Sequence, residues 1–237
     1  MLVMAEPSLD HRVVGSPGLY RRQVLALAIS KGLGRLAVEG RGCVPSDGPV
    51  LLAMNHRSLL DGPLLFGFVR RPVSCLVKVE AFTPWLGPLL SSAGQIPVRR
   101  HVVDARAVRL CLRILGAGGV VGIFPEGTRG HGLVETARPG VGYLALRTGA
   151  TVIPVAASGT AQMAHRRGLY RPPAVLLFGA PIVMDRWPDG KVLGRAVVAD
   201  TTEAIRAQLA ALVAVADDAR AARERLAGTK TMERARG

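Results

Sequence analysis

Acidic residues, aromatics, cysteines and long apolar runs are all scarce in this chain. Asp and Glu number 17 against 31 Lys and Arg, which leaves a formal net charge of +14 over 237 residues. Such a surplus draws a protein toward polyanions, whether nucleic acid, anionic lipid or acidic carriers, and does not choose among them. Aromatics make up 4% of the chain, too few for the stacking platform that single-stranded nucleic acid requires. Zinc-finger spacing and an aromatic RNA-binding signature are absent, and the basic residues are scattered, so no nucleic-acid partner is expected. The three cysteines, Cys43, Cys75 and Cys111, are odd in number and far apart. They offer no metal-ligand spacing and fit a reducing compartment, as small buried hydrophobes. No apolar stretch approaches the ~20 residues that span a bilayer, and the first residues lack the signal-peptide pattern.

What is present is apolar in short, regular pieces. Hydrophobic residues reach 49%, which points to a globular core, and the length suits one domain. A weakly ordered arm covers residues 1–18, and a helix is expected from Leu19 to Val38. Arg21, Arg22, Lys31 and Arg35 flank its apolar stretch Val24–Ile29, a pattern that suits an amphipathic helix on an anionic membrane surface. Short apolar runs then alternate with helical patterns. Strands are expected at Val50–Met54, Val73–Val77, Gln95–Val98, Val120–Phe124, Thr151–Ala156 and Val175–Phe178. Helices are expected from Leu59, over Val102–Leu115, over Val141–Arg147 with Gly149 past its end, and over Thr201–Leu226. Pro154, inside an apolar run, implies an edge strand or a bulge.

This alternation predicts an α/β fold, a single layered domain whose mostly parallel central sheet is flanked by helices. Three segments follow: 1–40 as arm and membrane-docking helix, 41–200 as core, 201–237 as C-terminal helix and basic tail.

Two polar motifs each follow an apolar run: Asn55-His56-Arg57-Ser58-Leu59-Leu60-Asp61 and Phe124-Pro125-Glu126-Gly127-Thr128-Arg129. In open α/β sheets, ligands bind beyond the carboxyl ends of the strands, where both motifs fall. A histidine titrates near neutrality and can take a proton from an attacking hydroxyl. It needs an acid to fix its tautomer, and Asp61 is the candidate. Five residues along a helix rotate by roughly 140°, so the two meet only with His56 in the loop and Asp61 in the first turn. Ser58 and Asp61 have capping-box spacing, which puts His56 outside the helix. In the second motif Gly127 permits an anion nest, Arg129 offers a planar fork of donors, and Glu126 either binds a substrate hydroxyl or holds the loop. Arg99 and Arg100, closing the strand before them, make a third candidate for phosphate.

The order of these segments resembles the glycerolipid acyltransferase superfamily, most closely its bacterial 1-acylglycerol-3-phosphate acyltransferases. The family's first block resembles Asn55 to Asp61, its second Gly94 to Arg100, its third Phe124 to Arg129 and its fourth Val152 to Val155. Gly130 stands where the third block usually continues with Ser, and Arg138 where Lys is frequent. Arg57-Ser58 is also similar to the related glycerol-3-phosphate acyltransferases. The resemblance implies His56 as the base and Asp61 as its orienter, with Arg100 and Arg129 on the glycerol phosphate. Asn55, Ser58, Arg99, Glu126, Gly127, Thr128 and Arg138 complete the expected acceptor site. It implies lysophosphatidate as acceptor and an acyl thioester of coenzyme A or acyl carrier protein as donor, with no metal and no cofactor. A lipid acceptor without a spanning segment implies peripheral docking on the cytoplasmic face of the membrane, helped by Phe82, Trp85, Leu86, Leu89 and Leu90. Other lysophospholipids, glycerol 3-phosphate or a glycolipid are alternative acceptors. A metal-dependent phosphohydrolase and a non-catalytic basic lipid-binding protein are the competing classes.

Overall fold

The computed structural model describes residues 24, 35–99, 102–164 and 172–234. Its centre is a seven-stranded sheet. The strands are β1 (Arg35–Glu39), β2 (Val50–Met54), β3 (Val73–Lys78), β4 (Ile96–Val98), β5 (Val120–Ile123), β6 (Thr151–Ser158) and β7 (Pro173–Phe178). Their spatial order is β1-β7-β6-β2-β5-β3-β4, with every neighbouring pair parallel except β6 and β7. The helices are α1 (Asp61–Phe68), α2 (Gly87–Ser92), α3 (Ala105–Gly116), α4 (Gly140–Thr148), α5 (Thr160–Ala164) and α6 (Arg195–Arg234).

The run Val50–Met54 is buried throughout because both faces of the sheet are covered. Side chains alternate across the pleat. Val50, Leu52 and Met54 join Leu64, Leu65 and Phe68 of α1 on one face. Leu51 and Ala53 join Leu110 and Cys111 of α3 and Val141 and Leu144 of α4 on the other. Each leucine so enclosed contributes roughly 1.5–3 kcal/mol relative to exposure. Burial also pushes the Cys75 and Cys111 thiols up to about 12, as expected of small core hydrophobes.

The expected helix Leu19–Val38 ends differently at its described part. Residues 35–39 form edge strand β1, paired with β7, because Leu36 and Val38 bury against the core with period two. The sheet therefore begins inside the segment 1–40 assigned to the arm. The rest of that helix lies outside the described residues, apart from Val24, as does the proposed docking surface on it. The last helix begins at Arg195 and runs on to Arg234, beyond the expected ends.

Pro154 does not sit at an edge, since β6 pairs with both β2 and β7. It sits at a bulge. Val152 pairs with Ile182 and Val155 with Phe178, so residues 153–154 face residues 179–181, one more than they match. The Pro154 carbonyl accepts from the Gly179 N–H at 2.8 Å, and the register slip removes the need for the donor that proline lacks. Gln95 works through its side chain: its Oε1 accepts from Cys75 N–H at 3.0 Å and its Nε2 donates to Val73 O at 3.1 Å. This stitches the short edge strand β4 to β3.

Candidate active site

β2 and β5 pair in parallel, with Ala53 opposite Ile123. The chain therefore leaves both strands at the same edge of the sheet, and the two motifs emerge side by side. That is how residues 70 positions apart meet: the His56 N–H donates to Glu126 Oε2 at 2.8 Å. The His56 carbonyl accepts from the Gly130 N–H at 3.0 Å. The histidine ring stacks on Phe124, centroids 4.2 Å apart at 23°.

His56 lies in the loop and Asp61 opens α1, and the His56 Nδ1 is 3.0 Å from Asp61 Oδ2. The same oxygen accepts the backbone N–H groups of Arg57 and Ser58, each at 2.7 Å. Asp61 is fully buried, and its Oδ1 has no hydrogen-bond partner among the described residues. A carboxylate facing Nδ1 makes that nitrogen the donor and leaves Nε2 as the acceptor, the tautomer a base requires. The capping box is half formed: Asp61 reaches back to the Ser58 N–H, but the Ser58 Oγ accepts from Leu60 N–H at 3.2 Å.

Several residues expected to touch substrate are occupied by the protein itself. Asn55 is fully buried; its Nδ2 donates to Gly132 O at 3.1 Å and Ala157 O at 3.0 Å, and its Oδ1 accepts from Ala157 N–H at 2.7 Å. It fastens the ends of β2 and β6 and the loop after β5 together, so its side chain holds loops, not acceptor. Glu126 likewise uses both oxygens on backbone, Oε2 for His56 and Oε1 for Val134 N–H at 3.0 Å. These two bonds are the loop-holding role read for it. Ser58 is buried with its hydroxyl turned onto Leu60.

The remaining candidates lie around this centre. Gly127 adopts φ 71°, and a Cβ there would overlap the Arg138 side chain, which lies over it. Thr128, Arg129 and Arg138 are exposed on the loop after β5. Arg99 is 68% exposed, with its N–H on Asp104 Oδ2 at 3.0 Å and its Nε 3.4 Å from the same atom. Arg100 lies outside the described residues. Among the described residues, no three His, Cys, Asp or Glu side chains converge as a metal site would require.

Sequence reasoning missed what α6 does. Arg57 Nη1 and Nη2 donate to Asp217 Oδ1 and Oδ2 at 2.5 and 2.7 Å, and Arg206 Nη1 donates to Val134 O at 2.9 Å. Val134 is held at φ 55°, an unfavourable backbone for a β-branched residue, with its side chain buried against Leu209, Val213 and Ala216. The signal for Val134 was legible only as an apolar residue in a polar loop. For Arg57 and Asp217, 160 residues apart, the sequence held none.

Residues 35–158 match the model of the acyltransferase family. The chain is 30% identical over 136 residues to a chloroplastic 1-acyl-sn-glycerol-3-phosphate acyltransferase of Arabidopsis thaliana, covering 54% of this chain and 37% of that protein. It is 28% identical over 114 residues to the 1-acyl-sn-glycerol-3-phosphate acyltransferase of Bacillus subtilis, covering 47% and 57%. That of Borreliella burgdorferi is 31% identical over 126 residues, covering 51% and 50%. The chain thus spans 37% to 57% of these curated relatives' lengths. The crystal structure of the 1-acyl-sn-glycerophosphate acyltransferase PlsC from Thermotoga maritima shares the fold, with a TM-score of 0.61 at 24% identity over 82% of this chain and 79% of that one.

Proposed function

Because the chain belongs to the acyltransferase family, we propose that it transfers a fatty acyl group from an acyl thioester to the free sn-2 hydroxyl of 1-acylglycerol-3-phosphate, giving phosphatidate. The observation that carries this reading is the buried His56–Asp61 pair, 3.0 Å apart, with Nε2 left to act as base. Nε2 takes the hydroxyl proton as the oxygen attacks the thioester carbonyl. The tetrahedral intermediate expels the thiolate, which takes that proton back from the imidazolium and leaves as a thiol. Asp61 stabilises the imidazolium and fixes the ring; Phe124 restrains its plane. General-base assistance of this kind is worth about 10²–10⁴ in rate.

For the phosphate we assign the cations Arg129 and Arg138, with Arg99, Arg100 and Thr128. Glu126 supports this by pinning the loop that bears Arg129 and Arg138 against the backbone of His56. Acyl-coenzyme A or an acylated carrier protein supplies the donor. The relatives above bear the same acceptor in their names. An anionic membrane surface, met peripherally from the cytoplasmic side, is the proposed source of that acceptor. Exposed apolar residues support it, since Leu59, Trp85, Leu89, Val103 and Leu133 all stand on the segments that follow β2 to β5. Among the described residues, no helix is long and apolar enough to cross a membrane.

The test is thiol release from oleoyl- and palmitoyl-coenzyme A with lysophosphatidate, with lipid products identified by mass spectrometry. Wild type is expected to form phosphatidate, and His56→Ala to lose about 10²–10⁴ of the rate. Equal product from the mutant removes His56 from the mechanism. Product from a carrier-protein thioester alone assigns the donor, and product only with another lysophospholipid, a glycolipid or glycerol 3-phosphate reassigns the acceptor.

A further inference from the structure

Arg57 joins two things that the reaction needs kept together. Its backbone N–H donates to Asp61 Oδ2 at 2.7 Å, the oxygen that holds His56 Nδ1. Its guanidinium forms a bidentate pair with Asp217 of α6, at 2.5 and 2.7 Å, a geometry that fixes the guanidinium plane. Asp217 Oδ1 also accepts the Ser158 hydroxyl at 2.5 Å, at the end of β6. Arg220, further along α6, donates its Nε to that hydroxyl at 3.2 Å. Burial alone would raise the Asp217 carboxyl. Hydrogen bonds from Arg57 and Ser158, with the charges of Arg57 and Arg220, outweigh that and hold it below the usual carboxylate range. Asp217 lies beyond residues 35–158, so the family match does not reach it.

We propose that Asp217 is a positioning residue for the transfer: through Arg57 it fixes the peptide that cradles Asp61, and so α6 sets the aim of the His56 base. The Asp217 side chain is 34% exposed. The Arg57 side chain is 15% exposed, so solvent screens the pair only in part. What the pair fixes is direction, because a bidentate fork leaves Arg57 little freedom to rotate. Misplacing a catalytic group by about 1 Å is enough to cost on the order of 10²-fold in rate.

The kinetic consequence rests on the acyl-transfer reading; the geometric one does not. Two variants of the full chain separate them. Asp217→Asn keeps the shape and removes the charge, whereas Arg57→Lys keeps the charge and removes the fork. With lysophosphatidate and oleoyl-coenzyme A, each is expected to lower kcat on the order of 10–100-fold while KM for both substrates stays within about twofold. The double variant is expected to be no slower than the slower single one, as for residues acting in one chain of contacts. Independently of substrate, the His56 Nδ1 proton gives a downfield NMR resonance, identified by its loss in His56→Ala. It is expected to shift or broaden in both variants. An unmoved resonance overturns the proposal whatever the rates do, and so does a loss confined to KM. If wild type transfers no acyl group, the acyl-transfer reading fails and the resonance alone decides the positioning. If Asp217→Asn does not fold, Arg57→Lys carries both measurements.

Discussion

Asn55 and His56 are neighbours with opposite duties. His56 keeps one ring nitrogen for chemistry, while Asn55 spends its side chain on backbone groups of Gly132 and Ala157. Removing the amide takes the side-chain partner from the buried Ala157 carbonyl and N–H, each a desolvation penalty of about 1–3 kcal/mol. Asn55→Ala is therefore expected to lower the urea midpoint without changing the slope, a loss on the order of 2 kcal/mol or more. A midpoint equal to wild type would return Asn55 to the substrate site. A polar residue beside a histidine reads as a ligand contact from sequence alone. Its partner here is the backbone, which carries no sequence signature.

At the scale of elements, the polar residues at helix ends decide boundaries that periodicity blurs. The pattern from Val102 extends the expected helix by three residues, yet α3 starts at Ala105 because Asp104 caps it. The Asp104 Oδ1 accepts from the N–H groups of Arg106 and Ala107, each at 3.2 Å. Burial raises this carboxyl, but bonds from Arg99 and Ala107 outweigh it and hold it below the ordinary value. A group depressed in the folded state stabilises above its unfolded pKa, near 3.9, and that stabilisation is lost as pH falls toward the folded value. Asp104→Ala is expected to cost about 0.5–2 kcal/mol at pH 7. The gap between variant and wild type should narrow below about pH 4, read by urea denaturation across pH. A gap independent of pH would mean that the side chain acts by packing.

At the scale of the molecule, the parallel pairing of β2 and β5 brings the two polar motifs out at one edge of the sheet, and Trp85 stands exposed on the segment that follows β3. Trp85, 93% exposed, has the amphipathic ring that favours the membrane interface. Together with the net charge of +14, this predicts binding to vesicles containing anionic phosphatidylglycerol that weakens with salt. Trp85→Ala is expected to reduce binding several-fold, by about the area of one aromatic side chain. Cosedimentation that is unaffected by salt and by this substitution would move the docking surface elsewhere.

The strands Val50–Met54 and Thr151–Ala156, the second running on to Ser158, were legible because runs buried on both faces are mostly apolar. The placement of His56 and Asp61 followed from helix geometry, since five residues can meet only across a helix start. These were local matters, fixed by residues within a turn of one another. Strand β1 was not local: Arg35–Glu39 is a strand only because β7 lies beside it. The bulge that accommodates Pro154 depends on where Ile182 returns, and the Arg57–Asp217 pair on where α6 lies. The sequence by itself determined which residues could do acid–base chemistry and on which elements they sit. Only the tertiary structure decided which polar side chains remained available, because a hydrogen bond to distant backbone is invisible until the chain has closed on itself.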